Sequence, residues 1–214
     1  KPDFPTKAVI KKHLFCLPIK SLELLSWLFE FYPDDYSSLV QLLLPANFTV
    51  KPSKLPLKPV IGKNAELPKP TPEQAQALQG IATSKRILLH GDTGTGKTRV
   101  FLEAAQRTLA QNKSVVILTP EIGLTPQLIT DIEQFLPAPI VLTHSAMTES
   151  DRRKAWEYAA TNKNPAVYVG PRSALFLPID NLGLVVLDEA HDAAYKQGQS
   201  PRYQTIHIAA ALAS

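Results

Sequence analysis

The chain of 214 residues is poor in cysteine, since Cys16 stands alone. No disulfide can form within it, and a zinc site built from several cysteines is excluded. It has no run of eighteen apolar residues, so the sequence offers no candidate membrane-spanning helix. Its first residues, Lys1-Pro2-Asp3-Phe4-Pro5, lack the apolar stretch of an export signal. With no signal and no disulfide framework, a reducing, cytoplasmic setting is expected. Glycine is absent from the first 61 residues, whereas eleven of the 19 prolines lie within residues 1–72.

What is present divides near residue 70. The net charge is +4, and all of it sits in residues 1–70, which hold ten lysines and six acids. A basic segment ahead of a neutral one is compatible with contact with nucleic acid, but charge alone favours a merely solvated surface. Pro45 to Pro70 carries five lysines and one glutamate. Its prolines fix φ and remove donors, which excludes a regular helix or a central strand. The expectation is an extended basic connector over 47–70, with a short strand at Phe48–Val50 as its one regular element. Before it, Ser21 is expected to cap a helix over Leu22–Tyr32. Pro33-Asp34-Asp35 breaks that helix, and a second runs over Tyr36–Leu44. Residues 1–46 thus read as a small helical segment that packs on the larger unit after it or on a part of the parent protein outside this sequence.

From Thr71 the pattern alternates between helix and strand. Thr71-Pro72-Glu73-Gln74 has the spacing of a capping box, with proline at the first helical position. Strands are expected at Arg86–His90, Ser114–Thr119, Ile140–Thr143, Ala166–Gly170 and Leu184–Asp188. Helices are expected at Lys97–Gln111, Thr125–Phe135, Thr148–Thr161 and Thr205–Leu212. The strands are continuous apolar runs, as in a mainly parallel sheet covered by helices on both faces. The fold class is therefore α/β over 71–214.

Gly91-Asp92-Thr93-Gly94-Thr95-Gly96-Lys97-Thr98 matches GxxxxGK[ST]. The glycines allow a tight turn whose successive N–H groups face phosphate oxygens. Lys97 would bridge the β- and γ-phosphates, and Thr98 would offer its hydroxyl to Mg²⁺. An apolar run before the loop and a helix after it supply the context this mechanism needs. Leu184-Val185-Val186-Leu187-Asp188-Glu189-Ala190-His191 ends an apolar strand in two acids. Asp188 fits the second acid needed near Mg²⁺ at the tip of a neighbouring strand. Glu189 would orient or deprotonate the attacking water. The cofactors read from these two motifs are ATP and Mg²⁺.

Asp188-Glu189-Ala190-His191 resembles motif II of superfamily 2 helicases and translocases. Further blocks narrow the resemblance to the PriA family. Thr119-Pro120-Glu121-Ile122-Gly123-Leu124-Thr125-Pro126-Gln127 resembles its motif Ia block. Gly170-Pro171-Arg172-Ser173-Ala174-Leu175-Phe176 is similar to the next, and Tyr195-Lys196-Gln197 with Pro201-Arg202-Tyr203 is similar to the segment after motif II. These blocks cover about 68–214; Trp27–Phe48 resembles, more weakly, the end of the family's N-terminal DNA-binding domain. The resemblance implies a RecA-like helicase lobe 1, and an ATP-dependent 3′–5′ DNA helicase acting in replication restart and primosome assembly. Forked and single-stranded DNA and the other restart proteins would be its partners, in the cytoplasm and at the nucleoid. It places Gln74 at the adenine, and Thr119, Pro120, Arg172 and Ser173 along the DNA strand. Tyr195, Lys196, Arg202 and Tyr203 would belong to an aromatic-rich loop coupling DNA binding to hydrolysis, with His191 between that loop and the hydrolytic site.

Other readings stay open. Gln74 can serve only the capping box, Arg172 can pair with an acid, and Tyr195 and Tyr203 can be core aromatics. Ala190 replaces the family's second glutamate of motif II, and Gln204-Thr205-Ile206-His207 departs from its usual Arg-Tyr-His wording. The family's winged helix, its cysteine-rich zinc region and its second motor lobe are not in this sequence. The chain by itself is therefore expected to bind Mg-nucleotide weakly and hydrolyse it poorly, because the second lobe supplies a transition-state arginine. Two further functions fit the motifs: an RNA-directed DEAH-type ATPase, and a nucleotide-switched scaffold on DNA forks. The wording of Thr119–Gln127 argues against the first, and the hydrolytic Glu189 against the second.

Overall fold

A computed structural model describes residues 16–45, 56–120 and 125–213. Helices α1 (Ile19–Phe31) and α2 (Tyr36–Leu43) open the described chain, followed by a short strand β1 (Val60–Ile61) and helix α3 (Pro72–Thr83). Then come α4 (Lys97–Ala110), β2 (Ser114–Leu118), α5 (Pro126–Phe135), β3 (Pro139–Leu142), α6 (Glu149–Thr161), β4 (Val167–Gly170) and β5 (Leu182–Leu187). A hairpin of β6 (Lys196–Gln197) and β7 (Tyr203–Gln204) leads into α7 (Thr205–Leu212).

The main sheet has the order β1-β3-β4-β2-β5. Its last four strands are parallel, and β1 joins β3 antiparallel as an edge. Strand β2 lies inside the sheet between β4 and β5 and is wholly buried, with Val115, Val116, Ile117 and Leu118 all at 0% exposure. Alternation sends its side chains to opposite faces. Val116 and Leu118 join Tyr168 and Val141 in a core with α1, α2, α6 and α7. Val115 and Ile117 join Val167, Val169 and Ile140 in a second core beneath α4 and α5. This is the mainly parallel, helix-flanked α/β sheet expected from the apolar runs.

Helices α1 and α2 belong to the first core. Leu28 and Leu39 are fully buried, and the Trp156 indole N–H of α6 donates to the Leu43 carbonyl at 2.7 Å. Burying each such leucine contributes about 1.5–3 kcal/mol, which explains why two short helices hold their place against the sheet. Helix α1 starts earlier than expected. Its first turn is set by Pro18, whose carbonyl accepts from Ser21 N–H at 3.0 Å and Leu22 N–H at 3.3 Å. Ser21 is not its cap but a buried residue inside the first turn. Asp35 does cap α2, accepting from Ser38 N–H at 3.1 Å.

A second correction concerns Arg86–His90, which forms no strand. It is extended, but no ladder among the described residues includes it, and Ile87 and Leu88 are 43% and 84% exposed. Strand β5 ends the sheet, and a short apolar run with no paired neighbour gains no ladder hydrogen bonds. The basic connector contributes β1 instead. The strand expected at Phe48–Val50 lies outside the described residues. After β1 the connector follows α5: Gly62 N–H donates to Ala138 O and Lys63 N–H to Glu133 O. Gly62 is required there, since a Cβ would lie 2.1 Å from the Leu136 carbonyl oxygen.

Candidate nucleotide and nucleic-acid site

The glycine-rich loop joins the extended 86–90 segment to the N-terminus of α4. Gly94 and Gly96 have φ of +84° and +81°, a conformation that side chains with a Cβ rarely adopt. At Gly96 a Cβ would also stand 2.5 Å from Gln74 Nε2. Lys97 turns its ammonium back into the loop and donates to the carbonyls of Gly91 (2.7 Å) and Asp92 (3.0 Å). Thr95 donates its hydroxyl to the Asp92 carbonyl at 2.8 Å. Thr93 is exposed, and Thr98 lies in the first turn of α4. The loop is thereby shaped as a cradle at a helix N-terminus, where N–H groups and the helix dipole favour phosphate.

Gln74 closes the capping box and also reaches the phosphate loop. It closes a capping box with Thr71, accepting from Thr71 N–H at 3.1 Å while its own N–H donates to Thr71 Oγ1 at 3.3 Å. Its amide Nε2 also donates to the Thr95 carbonyl at 3.2 Å. That bond brings the start of α3 against the phosphate loop.

Asp188 follows β5, and its N–H donates to the Leu118 carbonyl at 2.9 Å, which continues the β2–β5 pairing. The carboxyl pKa is raised above its ordinary value, first by loss of water around a half-buried group and then by the negative charge of Glu189. Glu189 N–H, 3.1 Å from Asp188 Oδ1, and the Lys97 charge act in the opposite direction. Glu189 has φ +49°, an unusual backbone for a residue with a Cβ, which costs about 1–2 kcal/mol and turns the chain sharply after the strand. His191 is largely exposed, with Nδ1 3.7 Å from Glu189 Oε2. A hydroxyl and a carboxylate, Thr98 and Asp188, are hard oxygen donors of the kind Mg²⁺ takes. The positive charge of a cation would relieve the crowding of Asp188 and Glu189. Among the described residues no group of three or more His, Cys, Asp or Glu gathers as a separate metal centre.

The residues expected along a nucleic-acid strand cluster at the C-terminal ends of the parallel strands. A cavity of about 440 Å³ is lined by Pro120, Pro171, Arg172, Ser173, Gln197 and Tyr203 among others. Thr119 is buried, and among the described residues its Oγ1 has no hydrogen-bond partner. Residues 121–124 of the same block lie outside the described chain. Among the described residues Arg172 pairs with no acid. Its guanidinium donates to the Ala194 carbonyl and to Gln197 Oε1, so it fastens the end of β4 to the hairpin. Lys196 and Arg202 are exposed on that hairpin.

Tyr195 and Tyr203 are core aromatics, 3% and 6% exposed, and Tyr203 meets Phe176 edge-on. Tyr195 also has a polar task. Its hydroxyl donates to the Asp188 carbonyl at 2.6 Å, with the Leu118 carbonyl 2.9 Å away as second acceptor. Thr205, at the start of α7, donates its hydroxyl to the Tyr195 carbonyl at 2.8 Å. The Tyr195 hydroxyl pKa is pushed up, first by burial and then by the charge of Asp188. The strand-end acid and the hairpin are therefore joined through one side chain. Sequence reasoning missed Gln197 and Thr205 as partners. It also missed Asp34 and Tyr32, which reach the hairpin from 166 to 172 residues away. No local pattern marks such contacts.

Comparison with known proteins agrees with this geometry. The DEAD/DEAH box helicase family model matches residues 71–212. Replication restart protein PriA of Helicobacter pylori (strain ATCC 700392 / 26695) is 34% identical over 203 residues, covering 95% of this chain and 32% of that protein. The protein of that name in Rickettsia prowazekii is 36% identical over 189 residues, or 87% of this chain and 29% of its own length. In Treponema pallidum the figures are 40% over 140 residues, 64% and 21%. The chain thus spans about a fifth to a third of the length of these relatives.

Proposed function

The chain belongs to the DEAD/DEAH box helicase family, and from that premise we propose that it is the ATP-binding lobe of a PriA-type 3′–5′ DNA helicase acting in replication restart. The proposed division is a helical remnant of a DNA-binding domain over 1–46, a basic connector over 47–70 and a RecA-like lobe over 71–214. Its proposed partners are forked and single-stranded DNA and the proteins of the primosome, in the cytoplasm at the nucleoid. Among the described residues no helix is long and apolar enough to cross a membrane.

The observation that carries the reading is the Tyr195 link between Asp188 and the hairpin. A motor must let nucleic acid, bound at one place, alter a hydrolytic group at another, and coupling of that kind travels through packed, hydrogen-bonded elements. In the proposed reaction the 91–98 loop N–H groups hold the phosphates and Lys97 exchanges its two carbonyl partners for phosphate oxygens. Thr98 and Asp188 would hold Mg²⁺, which when bound neutralises charge on the β- and γ-phosphates. Glu189 aligns the attacking water and takes its proton. Gln74 reads the adenine edge from α3. Pro120, Arg172, Ser173 and Tyr203 border the strand's path, with Lys196 and Arg202 placed to meet its phosphates. His191 lies between the two.

The test is steady-state ATPase of the full-length gene product, alone and with forked DNA, single-stranded DNA or single-stranded RNA. Strong stimulation by forked DNA, lost in Lys97→Ala and Glu189→Gln, is expected. Stimulation by RNA alone, or tight fork binding with no turnover, would overturn the reading.

A further inference from the structure

The segment between β6 and β7 is exposed, and a Cβ on its Gly198 would meet nothing. Such a loop has little to hold it within its own sequence. It is held from elsewhere. Asp34, in the turn between α1 and α2, accepts from the Ser200 hydroxyl (2.5 Å) on one carboxylate oxygen and from Arg202 N–H (3.0 Å) on the other. These bonds, with Ser200 first, hold the Asp34 carboxyl below its ordinary pKa, so it is ionised at neutral pH. Next to it the Tyr32 hydroxyl accepts from Gln204 N–H at 3.3 Å, and Phe31 meets His207 of α7 edge-on. Asp35 is occupied with capping α2, so of the two adjacent acids only Asp34 crosses to the hairpin.

We infer that Asp34 is a positioning residue, a latch by which the α1–α2 turn sets where the 198–202 loop presents Arg202 to nucleic acid. The inference deepens the proposed function and rests on it. The latch sits at the far end of a continuous path. From Asp34 it runs through Ser200 and Arg202 to the hairpin, which Arg172 and Thr205 tie to Ala194, Gln197 and Tyr195, and on to the Asp188 carbonyl. Because the Tyr195 end of that path does not involve Asp34, losing the latch leaves the hydrolytic end intact and misplaces the receiving end. The consequence is weaker engagement of nucleic acid at unchanged basal turnover.

The experiment uses the full-length gene product with Asp34→Ala, Asp34→Asn, Ser200→Ala and the double variant Asp34→Ala with Ser200→Ala. Two readouts are taken: the DNA concentration giving half-maximal ATPase stimulation, and amide hydrogen exchange of residues 196–204 without DNA. Asp34→Ala should raise that concentration about fivefold, as expected from losing charge-assisted hydrogen bonds at a partly exposed site, with basal and maximal rates unchanged. Asp34→Asn keeps one acceptor oxygen and should fall between it and the native protein. The double variant should be no worse than Asp34→Ala, because both substitutions cut the same contact. The Arg202 amide should exchange about fivefold faster in Asp34→Ala. An unchanged half-maximal concentration, a parallel fall of basal and stimulated rates, or unaltered exchange would each overturn the latch. If no nucleic acid stimulates the native protein, the proposed function fails by itself, and the exchange of Arg202 still decides whether Asp34 holds the loop.

Discussion

Replacing Tyr195 by phenylalanine tests the link between the strand-end acid and the hairpin while leaving the ring in the core. The hydroxyl donates to the Asp188 carbonyl at 2.6 Å, beside the Leu118 carbonyl at 2.9 Å. Leu118 keeps a partner in the variant, because Asp188 N–H also donates to it. The Asp188 carbonyl loses the hydroxyl. Leaving a half-buried acceptor unsatisfied costs about 1–2 kcal/mol, and the ring's own burial is unchanged. With a urea dependence of roughly 2 kcal/mol/M for a chain of this size, the unfolding midpoint should fall by about 0.5–1 M with the slope unchanged. Tyr36→Phe, at a tyrosine that is 66% exposed, is the control and should move the midpoint by less than about 0.3 M. The variant should also need more Mg²⁺ to bind a fluorescent ADP analogue, since Asp188 is no longer held from behind. A midpoint within about 0.2 M of the native value would refute the claim that this hydroxyl secures Asp188.

Lys97→Ala should weaken binding of a fluorescent ADP analogue by at least about tenfold while the circular dichroism spectrum stays native; unchanged affinity in a folded variant would remove the phosphate loop from the site. Leu28→Ala, at a fully buried position joining α1 to the lobe, should cost about 2–5 kcal/mol in one shared transition by circular dichroism and tryptophan fluorescence. A separate early transition carrying the whole loss would show that α1 and α2 fold apart from the sheet. For Asp188 the sign follows from its raised pKa. The folded state holds that proton more tightly than the unfolded chain, so its stability contribution is complete below the ordinary carboxyl range and is lost as pH rises through the folded value. Asp188→Asn removes that loss, so its urea midpoint relative to the native protein should rise between pH 3 and pH 7 without Mg²⁺; a flat or falling difference would contradict the crowding of Asp188 and Glu189.

Elements whose signals are local were legible in the residues alone. Thr71 and Gln74 form their capping box because three-residue spacing is all that motif needs. The loop before α4 is legible because only glycine enters the left-handed region freely, at positions 94 and 96. Continuous apolar runs became parallel strands because both faces of the sheet are covered. Asp188 falls at the tip of β5 because the apolar run stops there. Where the signal was only local it also misled. Ser21 looked like a cap, but Pro18 and the packing of Leu24 and Leu28 set the start of α1. Arg86–His90 looked like a strand, and apolarity supplies no pairing partner.

Contacts between residues far apart in the chain were set by packing. Whether Arg172 meets an acid, a phosphate or the hairpin depends on where Ala194 and Gln197 come to rest. Whether Tyr195 is only a core aromatic depends on Asp188 ending a strand directly above its hydroxyl. That α1 and α2 reach the hairpin at all depends on the leucines they bury against the sheet, which carry Asp34 to within 2.5 Å of Ser200. Hydrogen bonds across some 170 residues leave no periodicity to read, because the sequence encodes them only through the packing that brings their ends together.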